Sequence, residues 1–130
     1  MTGWQAMARD DLGGGVTAVA KVLPSPLVDT GDVARVLGTT PRSVQRWAAR
    51  DTAPRKEAEE RLLELAVVLE LAAQVLPARE ARLWLRTPLA ELSWSKPLDV
   101  IGAGGFRRVI EVLARPSEGP AAAPTIVSRP

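Results

Sequence analysis

The sequence predicts an all-α protein, and three observations lead there. Aliphatic residues are plentiful while aromatics are few: Trp4, Trp47, Trp84, Trp94 and Phe106, with no tyrosine. That balance favours helix over strand. Apolar residues recur at helical spacing in several stretches bounded by proline or glycine. The longest stretch, from Leu62 to Leu76, holds only Glu64, Glu70 and Gln74 as polar residues, and Pro77 ends it.

Taken in order, residues 1–15 include Gly13-Gly14-Gly15, and three consecutive glycines make this a flexible leader. A short helix is expected over Val16 to Leu23, stopped by Pro24 and Pro26. The next helix takes Thr30 as N-cap and shows Val33, Ala34 and Leu37 as its apolar face. Gly38 suits the turn that follows, because it adopts the left-handed conformation without steric cost. Thr40 then caps a second helix whose first position is Pro41, where a missing N–H costs nothing.

After a break at Asp51-Thr-Ala-Pro54, Glu57, Glu59 and Glu60 favour the positive end of a long helix's dipole. That helix runs to about Leu76. Its three polar residues do not share a face, so it must be covered on more than one side. The cover is the rest of the chain, as around a central core helix, or in part a second subunit or a partner protein. A further helix spans Ala78 to Arg86. Thr87-Pro88 then gives another cap-and-proline start, for a short helical turn to Leu92. After Trp94 to Ile101 and a glycine-rich turn, a last amphipathic helix from Gly104 to Ala114 carries Phe106, Val109, Ile110 and Leu113 as its stripe. From Arg115 onward, small residues and prolines predict a disordered tail.

The stretch Thr30 to Arg50 has the order of a helix-turn-helix. In its second helix consecutive residues turn by about 100°. Val44, Trp47 and Ala48 then face the core, leaving Arg42, Gln45, Arg46, Ala49 and Arg50 on the opposite arc. Such a helix can lie in the major groove of DNA. Gln45 and Arg46 are the types that bond adenine and guanine edges. Thr40, Arg42 and Ser43 near the helix start, with Arg50, Arg55 and Lys56 beyond its end, suit phosphate. The competing reading is a structural corner in which Arg46 pairs with an acid, since such modules can be kept for packing alone.

Charge favours the DNA reading. The chain is +2 overall, but Arg42 to Lys56 holds five cations against the single acid Asp51, a local +4 that leaves −2 for the remainder. A basic patch on a near-neutral body is an electrostatic footprint for phosphate.

Absences narrow the chemistry. With no cysteine and no histidine, disulfides, thiolate metal sites and the commonest general base are excluded. The expectation is a protein without catalytic activity, metal or cofactor, since carboxylate-only catalysis would need a pocket of its own. There is no basic N-terminal region followed by a long apolar run, and no apolar run of the roughly 18 residues a membrane span needs. The expectation is a cytoplasmic protein that does not enter membranes. Asp99-Val-Ile-Gly-Ala-Gly-Gly-Phe106 imitates a dinucleotide-binding turn. Its glycine spacing departs from that motif, and no βαβ unit can follow in the residues that remain.

From about Ala34 to Ala114 the chain resembles antitoxins of the Xre–MbcA–ParS type, which join a helix-turn-helix to a C-terminal toxin-binding domain. The match rests on Pro41-Arg-Ser-Val-Gln-Arg-Trp47, Arg61-Leu-Leu-Glu-Leu-Ala66, Ala81-Arg-Leu-Trp-Leu-Arg-Thr-Pro88, Lys96-Pro-Leu-Asp-Val-Ile101 and Gly105-Phe-Arg-Arg-Val109. Their order and spacing, more than any single string, carry the likeness.

The resemblance implies an antitoxin that neutralises a RES-domain, NAD-degrading toxin by blocking its active site, and that represses its own operon by binding operator DNA as a homodimer. It implies a helix-turn-helix domain over 16–54 and a toxin-binding domain over 55–114, with Trp94, Lys96, Pro97, Asp99, Gly105, Arg107 and Arg108 as toxin-facing residues. The tail at 115–130, where Ile126 and Val127 are the apolar anchors, could order itself over a toxin cleft. The alternative is a stand-alone dimeric repressor whose C-terminal helices serve only to dimerise it.

Overall fold

The computed structural model describes residues 18–115, and among these it contains helices and no strand. The leader at 1–15, the expected helix start at Val16 and the tail from residue 116 lie outside the described residues.

The first helix, α1 (Val19–Val22), buries Val19 and Val22. Its entry is tied to the long helix by a 3.0 Å bond in which the Ala18 amide donates to Glu59 Oε2. Helix α2 (Thr30–Leu37) starts one residue earlier than expected. Asp29, not Thr30, is the N-cap, and its carboxylate accepts from the Asp32 amide while Asp32 accepts from the Asp29 amide. This reciprocal box satisfies two amides that the helix leaves unpaired, whereas Thr30 capping alone would satisfy one. Val33, Ala34 and Val36 are buried and Leu37 is half-buried. Gly38 ends α2 at φ 68°, the expected left-handed turn.

Helix α3 (Pro41–Ala48) begins as expected: Thr40 Oγ1 accepts from the Ser43 amide at 3.1 Å, and Pro41 occupies the first position. Val44 is fully buried and Trp47 half-buried, but Ala48 is exposed and does not face the core. A Schellman closure ends the helix: the Asp51 amide reaches Arg46 O at 2.9 Å and the Arg50 amide reaches Trp47 O at 3.0 Å. This puts Arg50 at φ 66°, a position usually given to glycine.

The long helix α4 (Lys56–Val75) is the centre of the molecule. Leu62, Leu65, Val68, Leu69 and Ala72 form its buried stripe, and five of the other helices pack against it. The chain itself therefore supplies most of the cover this apolar helix requires. Its outer face carries exposed Lys56, Glu60, Glu70 and Gln74, with Leu63 and Val67 half-buried among them.

Helix α5 (Ala78–Leu85) buries Ala81, Trp84 and Leu85. Thr87-Pro88 does not start a helix. The Thr87 hydroxyl donates back to Leu83 O at 2.7 Å, and the next element, a 3₁₀ turn at Ala90–Leu92, begins after Leu89. Pro97 opens α6 (Pro97–Gly102), and α7 (Phe106–Leu113) seals the core with Val109 and Leu113.

The buried side chains, from Ala18 to Leu113, form one continuous apolar cluster, and among the described residues no polar side chain is buried within it. Three polar ties cross it. Arg35 pairs with Asp99, joining α2 to α6. Arg86 pairs with Asp32 and donates to Leu27 O at 3.1 Å, while Arg82 donates to Pro26 O at 3.0 Å, so α5 grips the loop before α2.

Candidate functional site

Two surfaces carry the residues singled out from the sequence. The first is built on α3. Pro41 and the Thr40 cap fix its start, Val44 and Trp47 fix its rotation, and Arg42, Gln45 and Arg46 are left exposed on the outer arc. Ser43 is half-buried, and its side chain is occupied by the cap, accepting from the Thr40 hydroxyl at 3.2 Å. Arg50 follows on its left-handed turn, and Arg55 and Lys56 stand exposed where α4 begins. A cleft of about 460 Å³ lies behind this surface, where Trp47 and Val36 face Arg55, Ala58 and Arg61.

The electrostatics of this surface are one-sided. Arg42, Arg46, Arg50, Arg55 and Lys56 make no side-chain hydrogen bond or ion pair with any described residue. By contrast, Arg35, Arg61, Arg82 and Arg86 are all paired with acids. Arg46 pairs with no acid among the described residues. Five solvated guanidinium and ammonium groups on one side suit a polyanion, because nothing in the fold competes for them.

The second surface surrounds the 3₁₀ turn. Trp94 is 71% exposed, far more than any other aromatic described, and both Ser93 and Trp94 hold left-handed backbone, at φ 57° and 64°. Lys96 is half-buried and Arg107 exposed, neither with a side-chain partner among the described residues. Arg108 is exposed and donates to Glu91 O at 2.9 Å, which ties α7 to the turn.

The other expected residues here are also engaged within the fold. Pro97 is buried at the first position of α6. Asp99 is held by Arg35. Gly105 is a point of close approach: a Cβ there would lie 2.8 Å from Val100 Cγ1. Sequence reasoning missed Ser93 and Glu91. No residue pattern marks a serine for left-handed backbone, and the carbonyl that Arg108 uses belongs to the backbone, which every residue carries.

Among the described residues one carboxyl is clearly shifted, at the start of α2. The Asp32 amide donating to Asp29, helped by the nearby Arg86 and Arg82 guanidiniums, holds the Asp29 carboxyl below its ordinary value against a smaller opposing effect of burial. Among the described residues no acidic cluster is arranged to hold a metal ion, and no helix is long and apolar enough to cross a membrane.

Comparison with known proteins places the second surface in context. Residues 71–119 match the model of the antitoxin Xre/MbcA/ParS C-terminal toxin-binding domain. The mycobacterial cidal antitoxin MbcA of Mycobacterium tuberculosis is 32% identical over 109 residues, covering 81% of this chain and 96% of that protein. MbcA of Mycobacterium bovis matches to the same extent. A chain of the crystal structure of the M. tuberculosis MbcT–MbcA toxin–antitoxin complex superposes with a TM-score of 0.66 at 31% identity, covering 74% of this chain and 86% of that one.

Proposed function

Because this chain belongs to the Xre/MbcA/ParS antitoxin family and is a binding protein rather than an enzyme, we propose that it neutralises a RES-domain, NAD-degrading toxin by covering its active site. We propose further that it represses its own operon as a homodimer through a helix-turn-helix formed by α2 and α3.

The observation that carries this reading is the separation of two unlike surfaces on one chain. One is the basic arc of α3 and the start of α4, with five cations that no acid of the fold engages. The other is the exposed Trp94 turn, inside the segment that matches a toxin-binding domain. In the first, Gln45 and Arg46 read base edges, and Arg42, Arg50, Arg55 and Lys56 hold phosphates, with Thr40 and Ser43 setting the helix start. In the second, Trp94, Lys96, Arg107 and Arg108 meet the toxin directly. Pro97, Asp99 and Gly105 shape α6 and the turn behind them. The toxin's chemistry follows from the family resemblance. A dimer would present two α3 helices to successive major grooves and select a palindromic operator.

The test is growth and intracellular NAD in cells expressing the adjacent open reading frame, with and without this chain. The adjacent product alone should stop growth and deplete NAD, and co-expression should restore both. A harmless neighbour, or no rescue, overturns the reading. In the same system Arg46→Glu should abolish operator binding and keep the rescue, which separates an antitoxin from a simple repressor.

A further inference from the structure

We infer that Trp94 is the anchor of the toxin interface, its backbone fixed before the toxin arrives, and that its indole enters an apolar pocket rimmed by carboxylates. The inference rests on the antitoxin reading above and deepens it by naming the side chain and the chemistry of its receptor.

Three features converge on this residue. Its indole is 71% exposed and forms no hydrogen bond with any described residue, so it contributes little to the chain's own core. Its backbone is fixed. The Trp94 amide donates to Leu89 O at 2.7 Å, the Leu89 amide donates to Ser95 O at 3.2 Å, and Leu89 and Leu92 root the turn in the core, each 1% exposed. The turn is also strained, with Ser93 and Trp94 both in the left-handed region that side-chain-bearing residues avoid. Strain of this kind persists where the surroundings impose it, and it is concentrated at sites that must present a group in a set direction.

An exposed tryptophan on a fixed backbone is costly to keep in water and valuable to bind. Interface energy is concentrated in a few residues, tryptophan foremost, that fill pockets on the partner. A backbone already fixed in a tight turn also loses less freedom on association. The surroundings define the rim. Lys96, Arg108 and Arg115 stand around the turn, where the Glu91 carboxylate is 4.0 Å from Arg115 and Asp99 is already held by Arg35. A pocket that accepts this turn must be apolar within and acidic at its edge.

The experiment uses the full chain and the co-expressed product of the adjacent open reading frame, with affinity measured by titration calorimetry. Trp94→Ala should weaken binding by about thirtyfold or more, while Trp94→Phe recovers a large part and both variants melt within a few degrees of the parent. Lys96→Glu should weaken binding, and the loss should shrink as salt is raised. Equal affinities of parent and Trp94→Ala, within about twofold, overturn the anchor. So does a Trp94→Ala variant that keeps toxin affinity but changes from dimer to monomer by light scattering, because the indole then belongs to a second copy. If the parent itself does not bind the product, the antitoxin pairing falls and the anchor falls with it.

Discussion

Arg35 and Asp99 stand 64 positions apart, yet they meet in a two-pronged pair, Nε to Oδ1 at 2.9 Å and Nη2 to Oδ2 at 3.1 Å. The pair joins α2, beside the basic surface, to the first turn of α6. Both side chains keep substantial exposure, 59% and 40%, so water screens much of their attraction. Exposed pairs contribute roughly 0.2–1 kcal/mol. Asp99→Ala and Arg35→Ala should each destabilise the fold by less than about 1 kcal/mol. Their effects should be non-additive in a urea-melt double-mutant cycle. Full additivity would show that the pair contributes nothing as a pair.

Arg50 sits where a Schellman closure ordinarily holds glycine, at φ 66°. Relief of left-handed strain is worth about 1 kcal/mol. Arg50→Gly should therefore raise the unfolding free energy by up to about 1 kcal/mol, while removing one phosphate contact from the proposed DNA surface. In a salt titration of operator affinity, the slope of log K against log salt should fall by about 0.9. An unchanged slope would mean that Arg50 touches no phosphate.

Two glycines should respond to alanine for different reasons. At Gly38 a Cβ meets nothing within 4 Å, so Gly38→Ala costs only backbone strain at φ 68°, about 1–2 kcal/mol. At Gly102 a Cβ would lie 2.9 Å from Val36 O, which is backbone and cannot swing aside. Gly102→Ala should force α6 away from α2 and cost about 1–3 kcal/mol. It should also disturb the Arg35–Asp99 pair, whereas Gly38→Ala leaves that pair intact. Denaturant melts combined with Arg35→Ala distinguish the two.

Acid should loosen the start of α2. The Asp32 amide, the largest influence, holds the Asp29 carboxyl below 3.8, its ordinary value. The folded value is thus lower than the unfolded one. The contribution of the charge is complete above that ordinary value and is lost as pH falls through the folded value. Asparagine caps a helix without carrying charge. The stability difference between the parent and Asp29→Asn should stay level from neutrality to about pH 5 and close at lower pH. A difference that widens in acid would reverse the assigned sign.

Local signals in the sequence were sufficient where one residue type has one good use. Gly38 and the Thr40-Pro41 start lie where their chemistry puts them, as do Pro77 after α4 and the Phe106–Leu113 stripe. They failed where two neighbours compete on equal terms. Asp29 and Thr30 can both cap, and Asp29 wins because Asp32 returns the bond. Ala48 was assigned inward by periodicity, but in an eight-residue helix two turns do not fix the rotation, and alanine loses little in water. Ties across the fold were illegible. The carbonyls that Arg82 and Arg86 grip lie 56 and 59 positions earlier and belong to the backbone. On the candidate surfaces the cluster of cations was readable, but their lack of partners and the posture of Trp94 were not, because both depend on the folded chain.

The single apolar cluster that runs from Ala18 to Leu113 leaves no seam along which the chain could come apart. Opening one half exposes the other half's core as well, so the most protected amide protons of both halves should exchange through one shared global event. A protease that captures the chain open therefore finds both surfaces undone at once. For an antitoxin this ties lifetime to a single opening event, with no partly folded remnant left to hold a toxin.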